Sequence, residues 1–598
     1  MPTIRLAVLL AATAATAATA ASAGAQIIRT PGGATGPGEA VTGNVLAEAH
    51  HAQAEFETYR VMHLPVARAS APSNCDERVG NWCYWYDERP GPKEPPEIAV
   101  ARGKLVEQLA AFAKEIPDDR WIAAQRVRYL SESERYPEAL TAAKECQTGG
   151  WWCDILLGFS YHMLGEDARS DSVYAVALDH MLPRDRCQWR DFSMLLDDDA
   201  RQQYHRLACG DPRRKEFEDR VFAFARTLYG RPGNDTRTEW YARMTMTLMM
   251  QDAATPHQNG FGDDERELLM RFGWARSWAR SPNRGGGFRG GFGGRQAPQG
   301  QPTFDVQSGE AVPAYRMIPA GFVLNNPSLS DSTAWRLHLP PVMGRYAPPY
   351  AKSLVILEHQ KAVFKRGDSA LVVFSYDAGS AKELAGAKLN AALVVTPNSA
   401  ARDYIARIKD APQRAVLTVK APWGPLLMSG EVTAPEKNAV ARARYGANPP
   451  FAVGTRVTLS DLLFFKPYGT VPETAEEAAP HAHPTERLRA DEKLGVFWEA
   501  YGTDPEGEQM TISLTVVKEV EESGFFRRQA KALKLVREAT PVSVSVQDMS
   551  ARGSTTSARS IDLDIHTLTK GAYIVQLEVT VAGQYVVRAD HRIEITTP

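Results

Sequence analysis

The densest chemistry in this 598-residue chain lies in the stretch 229–280, where Asp263, Asp264, Glu265 and Glu267 interleave with Arg266 and Arg271. Carboxylates beside guanidinium groups can move protons or hold a cation. The alternating oxygen ligands of a calcium loop are missing, however, and a solvated, ion-paired rim explains the cluster with fewer special conditions. No catalytic residue, metal site or cofactor is therefore assigned. A binding surface in the same stretch would use Trp240, Arg243, Asp264, Arg266, Arg271, Trp274 and Trp278, since Trp and Arg are the side chains that most often anchor interfaces.

Six cysteines form the second set: Cys75, Cys83, Cys146, Cys153, Cys187 and Cys209. None belongs to a C-x-x-C pair, which argues against a redox motif or a zinc knuckle, and an even count in an exported chain favours disulfides. Sequential pairing, 75–83, 146–153 and 187–209, closes three local loops. The adjacent His50 and His51 fall on different faces of a helix, so they do not share a metal. His481 and His483 sit in an Ala/Glu/Pro-rich interval and His162 in a helix; both are read as structural. The aromatic run 82–86 beside Cys83 is a small pinned core, or alternatively a surface on which a sugar ring could stack. The chain has no P-loop, no G-x-S-x-G elbow, no H-E-x-x-H and no Rossmann fingerprint after a strand.

These residues must be positioned by more than one core, because 598 residues imply about three to five domains. Lys+Arg 69 against Asp+Glu 71 leaves a net charge of -2, so nothing in the overall charge calls for nucleic acid or an anionic membrane as partner. Arg5, a short apolar run and the small residues near Ala25 form a secretory pattern, making residues 1–25 a signal peptide. No later stretch is apolar for the length of a membrane span. Residues 26–96 read as a Pro/Gly-rich, disulfide-pinned segment and 97–212 as a helical domain. Residues 213–283 read as a helical joint, in which Phe217, Val221, Phe224 and Leu228 share one helix face. Asp197–Asp199 should cap a helix. Thr236 with Glu239 reads as a capping box that starts another. The segment 263–273 fits a short helix by its acidic start and Gly273, and a strand by its alternation.

Residues 284–302, RGGGFRGGFGGR and a polar tail, read as a flexible linker rather than an RNA-binding segment. Beyond it the period drops to two. Runs near 353–356, 370–376, 391–395, 414–419 and 456–459 give a first antiparallel β-sandwich over 303–470. A polar linker over 471–490 precedes a second sandwich, 491–598, with strict alternation at 511–516, 542–546 and 561–565. Its Leu568-x-x-Gly571-x-Tyr573 entry is similar to the corner of immunoglobulin-like sandwiches, where a Tyr hydroxyl ties back to the backbone.

Two resemblances complete the reading. Leu157, Gly158, Tyr161, Ser170, Tyr174, Ala177 and Pro183 resemble a tetratricopeptide repeat, with a fainter copy upstream in which Ala139 and Cys146 replace Ser170 and Ala177; such arrays serve as scaffolds for other chains. Asp264 and Arg266, the apolar 268–270, Arg271-Phe272-Gly273 and Trp274, with Leu459-Ser-Asp-Leu-Leu-Phe-Phe465, resemble the GWxTD-domain proteins of environmental bacteria, from about Arg213 onward. That family implies an exported multidomain protein and supplies no catalytic residues. The expectation is a multidomain α plus all-β protein: a tetratricopeptide-like α-helical array followed by two antiparallel immunoglobulin-like β-sandwiches. It would act as a non-catalytic scaffold or interaction protein of the cell envelope, periplasmic or extracellular, with a protein partner on its helical half. The alternatives are a carbohydrate- or surface-binding protein, and an enzyme with its site in 229–280.

Overall fold

The structure is a computed structural model and describes residues 37–66, 77–80, 82–84, 92–256, 260–275, 277–280, 302–305, 315–335, 343–398, 402–449, 457–519, 542–581 and 586–597. The signal-peptide segment, Cys75 with its pairing to Cys83, and residues 284–295 lie outside them.

An N-terminal helical half is followed by a half built of antiparallel and mixed β-sheets. In the helical half, Gly150–Met163 and Asp167–His180 pack closely because Gly158 has no side chain: a Cβ there would lie 3.1 Å from the Tyr174 ring. Ser170 Oγ donates to the Gly158 carbonyl at 2.8 Å. Disulfides join Cys146 to Cys153 and Cys187 to Cys209, as the sequential pairing requires. Asp197 caps its helix by accepting from the Ala200 amide at 3.1 Å.

The central helix, Asp235–Met250, is buried on nearly every side and threads the common core of the half. Its start corrects the capping-box reading. Asn234 is the cap, accepting from the Arg237 amide at 3.0 Å, while Thr236 Oγ1 donates to the Ala225 carbonyl. Glu239 is drawn inward to Arg243 and His162 and is not free to cap. The ambiguous acidic segment is a helix, Asp263–Phe272, ended by Gly273 at φ +88°, so its alternation does not make a strand; a separate strand, Ser277–Arg280, follows it.

That strand pairs antiparallel with Pro302–Asp305, Arg280 opposite Pro302. The Gly/Arg-rich segment therefore begins and ends at neighbouring strands and does not separate two independent bodies. Beyond it, a five-stranded sheet runs in the order Tyr404–Ala411, Leu389–Pro397, Leu426–Ala434, Ala439–Ala447, Ser353–Ile356, with the last pair parallel. A three-stranded sheet, Arg414–Pro422, Ser369–Asp377 and Glu358–Arg366, faces it across an apolar core. The opposite face of the five-stranded sheet is covered by the helical half: Ala392, Val394 and Leu427 belong to the same core as Phe224, Tyr229 and Trp240.

Polar groups close this junction. Arg444 donates to the carbonyls of Arg226 at 2.9 Å and Thr227 at 3.1 Å, and Arg442 to Thr227 at 2.8 Å. Both thus serve carbonyls just beyond the end of helix Pro212–Ala225, where the helix supplies no partners. Glu431 accepts from the amides of Tyr229 and Gly230 at 2.7 and 2.8 Å.

The interval read as a second linker is also folded. Ala475–Ala478 is helical, and Ala475, Ala478, Ala479 and Ala482 pack with Ala362, Phe364, Leu463, Phe465 and Phe497. Its small apolar residues fill the space between the first pair of sheets and the second. The second pair comprises a five-stranded sheet, Arg487–Arg489, Val586–Thr596, Gly571–Val581, Gln509–Lys518, Val542–Met549, and a four-stranded one centred on Lys493–Tyr501. They enclose their own core around Trp498, Leu514 and Leu577. Among the described residues, no helix is long and apolar enough to cross a membrane.

Candidate functional site

The residues singled out in 229–280 divide into two groups. Trp240 and Arg243 are inside, each 1% exposed. The Trp240 indole donates to the Trp189 carbonyl at 2.8 Å. Arg243 donates to Glu239 at 2.7 Å, to the carbonyls of Met270 and Arg271 at 3.0 Å each, and to that of Arg345 at 2.5 Å. It holds the end of helix Asp263–Phe272 and offers nothing to a partner. Arg271 is likewise buried, donating to the Met343 carbonyl at 2.8 Å and to Glu267 at 3.2 Å. Asp264 lies against the hairpin of Glu77–Val79 and Trp82–Tyr84, close enough that a Cβ on Gly80 would sit 1.9 Å from its Oδ2.

Arg266, Trp274 and Trp278 are half-buried and line two cavities that share Phe261 as a wall. The smaller, about 40 Å³, is walled by Met246, Met250, Leu268, Leu269, Trp274 and Trp278, with Glu132 and Glu265 as its charged groups. It has room for water or a methyl group and not for a substrate. The larger, about 470 Å³, is walled by Met244, Leu248 and Phe261 and carries Gln188, Gln251, Asp263 and Arg266. Arg266 donates only its backbone amide, to the Gly262 carbonyl at 3.0 Å; no partner of its guanidinium is found among the described residues.

Sequence reasoning missed a buried ionic cluster beneath the smaller cavity. Tyr129 Oη donates to Glu57 at 2.6 Å, Arg128 to Glu132 at 2.9 Å, and Arg60 pairs with both glutamates. Burial pushes Glu57 up. Burial would also raise Glu132, but Arg60, Arg128 and Arg102 outweigh it and hold that carboxylate at about 2. Two carboxylates set apart in this way can mark an acid and a base. Here Glu57 reaches no described cavity and Glu132 is committed to arginines, so the cluster is equipped to hold elements together. A charged face on helix Arg120–Glu132 opposite Glu57 and Arg60 was the available signal, at a sequence separation that no local pattern reveals.

His162 is buried, with Nε2 2.8 Å from Glu239 and Nδ1 3.0 Å from Thr238 Oγ1. The Thr–His–Glu order has the look of a nucleophilic triad. Thr238 is fully buried, however, and lines none of the cavities described, so no substrate reaches its hydroxyl. Burial would raise Glu239, yet Arg243 and His162 hold it at about 2. Of the other histidines named above, His50 stacks on Trp121 at 3.8 Å, His51 pairs with Glu55 at 3.1 Å, and His481 stacks on Tyr468 at 3.7 Å.

Fold and site define a protein with a disulfide-bonded helical half, a β-sheet half, and a cavity whose arginine has no side-chain partner among the described residues. No protein-family model matches the chain, and no curated protein does. Among solved structures it is similar to the crystal structure of red sea bream transglutaminase at 8% identity, over 41% of this chain and 32% of that one, with a TM-score of 0.14. That likeness carries no argument about fold or activity.

Proposed function

We propose that this is an exported, non-catalytic interaction protein of the bacterial cell envelope that binds a protein partner through its helical half. The observation that carries this reading is the larger cavity, about 470 Å³, in which the Arg266 guanidinium faces no partner among the described residues and Met244, Leu248 and Phe261 supply apolar wall. An apolar side chain of the partner would lie against Phe261, and a neighbouring carboxylate would meet Arg266 in the bidentate geometry that guanidinium favours. The two disulfides fit an oxidising compartment.

The finer fold assignment belongs to the same proposal. The close contact at Gly158 and Tyr174 supports a tetratricopeptide-like helix pair. Tyr573 Oη donating to the Thr569 carbonyl at 2.8 Å supports an immunoglobulin-like corner. A GWxTD relationship rests on the Asp264–Trp274 segment.

The test is capture from the native envelope fraction, with crosslinks mapped by mass spectrometry. Wild-type protein should retain a partner crosslinked near Gln188, Gln251 or Arg266. Arg266→Glu should lose at least ~10-fold in binding, about 1.4 kcal/mol, while its unfolding free energy stays within about 0.5 kcal/mol. Undiminished capture by Arg266→Glu, or crosslinks confined to the β half, would remove the assignment.

A further inference from the structure

A third cavity, about 370 Å³, opens where the turn 228–231 of the helical half meets strand Tyr404–Ala411. Its volume lies in the range of small-molecule sites. Arg231, Arg407 and Lys409 bring three cations to its lining, and among the described residues Glu431 is the one carboxylate there. Glu431 is already spent on two backbone amides, the Ser429 hydroxyl at 2.7 Å and Arg444 at 3.5 Å. Arg231 is matched by Asp167 at 2.8 Å. Arg407 donates to the Gly230 carbonyl at 3.0 Å and pairs with no acid among the described residues, and Lys409 has no partner among them. Leu228, Ala391 and Ala434 provide apolar floor.

The strand is shaped at this point. Its pairing with Leu389–Pro397 slips between Leu389 and Ala391, so that Lys409 and Asp410 together oppose Asn390. Asp410 takes a left-handed φ of +50°, and its amide donates to Asn390 Oδ1 at 3.3 Å. Such a bulge re-aims side chains and recurs beside binding sites.

We propose that this cavity binds a small organic carboxylate with a short apolar body. Its charge meets Arg407 and Lys409, and its hydrocarbon rests on Leu228 and the alanines. Inorganic anions would lack the second contact and neutral diols the first. Because the walls come from both halves of the chain, the bound anion stabilises their junction and raises the melting temperature by mass action.

Calorimetric titration of the mature chain with succinate, adipate and suberate tests this, with inorganic phosphate and 1,6-hexanediol as controls. At least one dicarboxylate should bind saturably, one per chain, and at least ~10-fold more tightly than either control. The double variant Arg407→Ala, Lys409→Ala, both exposed positions, should lose at least ~10-fold in that affinity while keeping the melting temperature of the unliganded protein. Failure of all three acids to bind, equal binding of phosphate or hexanediol, or unchanged affinity in the double variant each overturns the proposal. Arg266→Glu should leave this binding unaltered, so it succeeds or fails independently of the partner site.

Discussion

Arg243 is withdrawn from water and surrounded by acceptors: one carboxylate and three backbone carbonyls from two separate segments. A buried guanidinium is costly unless every neighbour answers it, and truncating it leaves the buried Glu239 carboxylate with His162 alone beside it and three carbonyls unanswered. Arg243→Met should therefore destabilise the protein by about 3–5 kcal/mol, read as a lowered urea midpoint with unchanged slope. Arg243→Lys should recover little, because three rotating ammonium protons cannot reproduce a fork across four acceptors. A loss under about 1 kcal/mol for the methionine variant would mean that the arginine network is ornamental. At this scale the sequence was readable in part. The stretch 229–280 was marked as special by its Trp, Arg and acidic density, and Arg266, Trp274 and Trp278 do line cavities. What composition could not separate was inside from outside, since Trp240 and Arg243 lie on a helix buried nearly all round and leave no polar face to betray its orientation.

Among the elements, the strands at 511–516 and 414–419 were legible because each alternates apolar and polar residues, and 370–376 because it is a short, nearly continuous apolar run buried on both faces; they appear within Gln509–Lys518, Arg414–Pro422 and Ser369–Asp377. Ala439–Ala447 was not. Its Arg442 and Arg444 imitate a solvated face, whereas that face is covered by the helical half; burial, with Arg444 beside it, pulls Arg442 down to about 9. The wedge over 471–490 was missed for a related reason, its packing residues being alanines in a polar background. That wedge carries His483, buried at 2% with neither ring nitrogen hydrogen-bonded, facing Glu492, Lys466 and Arg414. Burial lowers it from 6.5 to about 4. The unfolded chain therefore binds a proton between those values that the folded chain refuses. Stability is full above pH 6.5 and falls as pH drops toward 4, His359 adding to the same trend. Between pH 7 and pH 5, His483 should cost about 2 kcal/mol. His483→Leu should flatten that part of the stability profile, and an unchanged slope would show that the proton is taken up elsewhere.

For the whole molecule, the decisive feature is that the period change from helix to strand does not coincide with a mechanical boundary. A glycine-rich stretch flanked by unlike halves suggests a hinge between independent bodies. Strand Ser277–Arg280 nevertheless pairs with Pro302–Asp305, and Ala392, Val394 and Leu427 share a core with Phe224 and Tyr229. Arg442, Arg444 and Glu431 add hydrogen bonds whose partners would be stranded if the halves parted. Joint stability then does not require chain continuity, since the connection contributes mainly loop-closure entropy, which grows slowly with length. Residues 26–290 and 291–598, co-expressed as two chains in an oxidising compartment with a tag on one, should copurify as a one-to-one complex and unfold in a shared transition across the junction. Glu431→Ala should weaken that complex by about 1–3 kcal/mol through the amides of Tyr229 and Gly230 left unpaired. A hinge predicts the opposite, two fragments that elute separately and melt independently. Recovery of either fragment as a folded monomer with its wild-type melting temperature would restore the hinge and dissolve the cavity between the halves along with it.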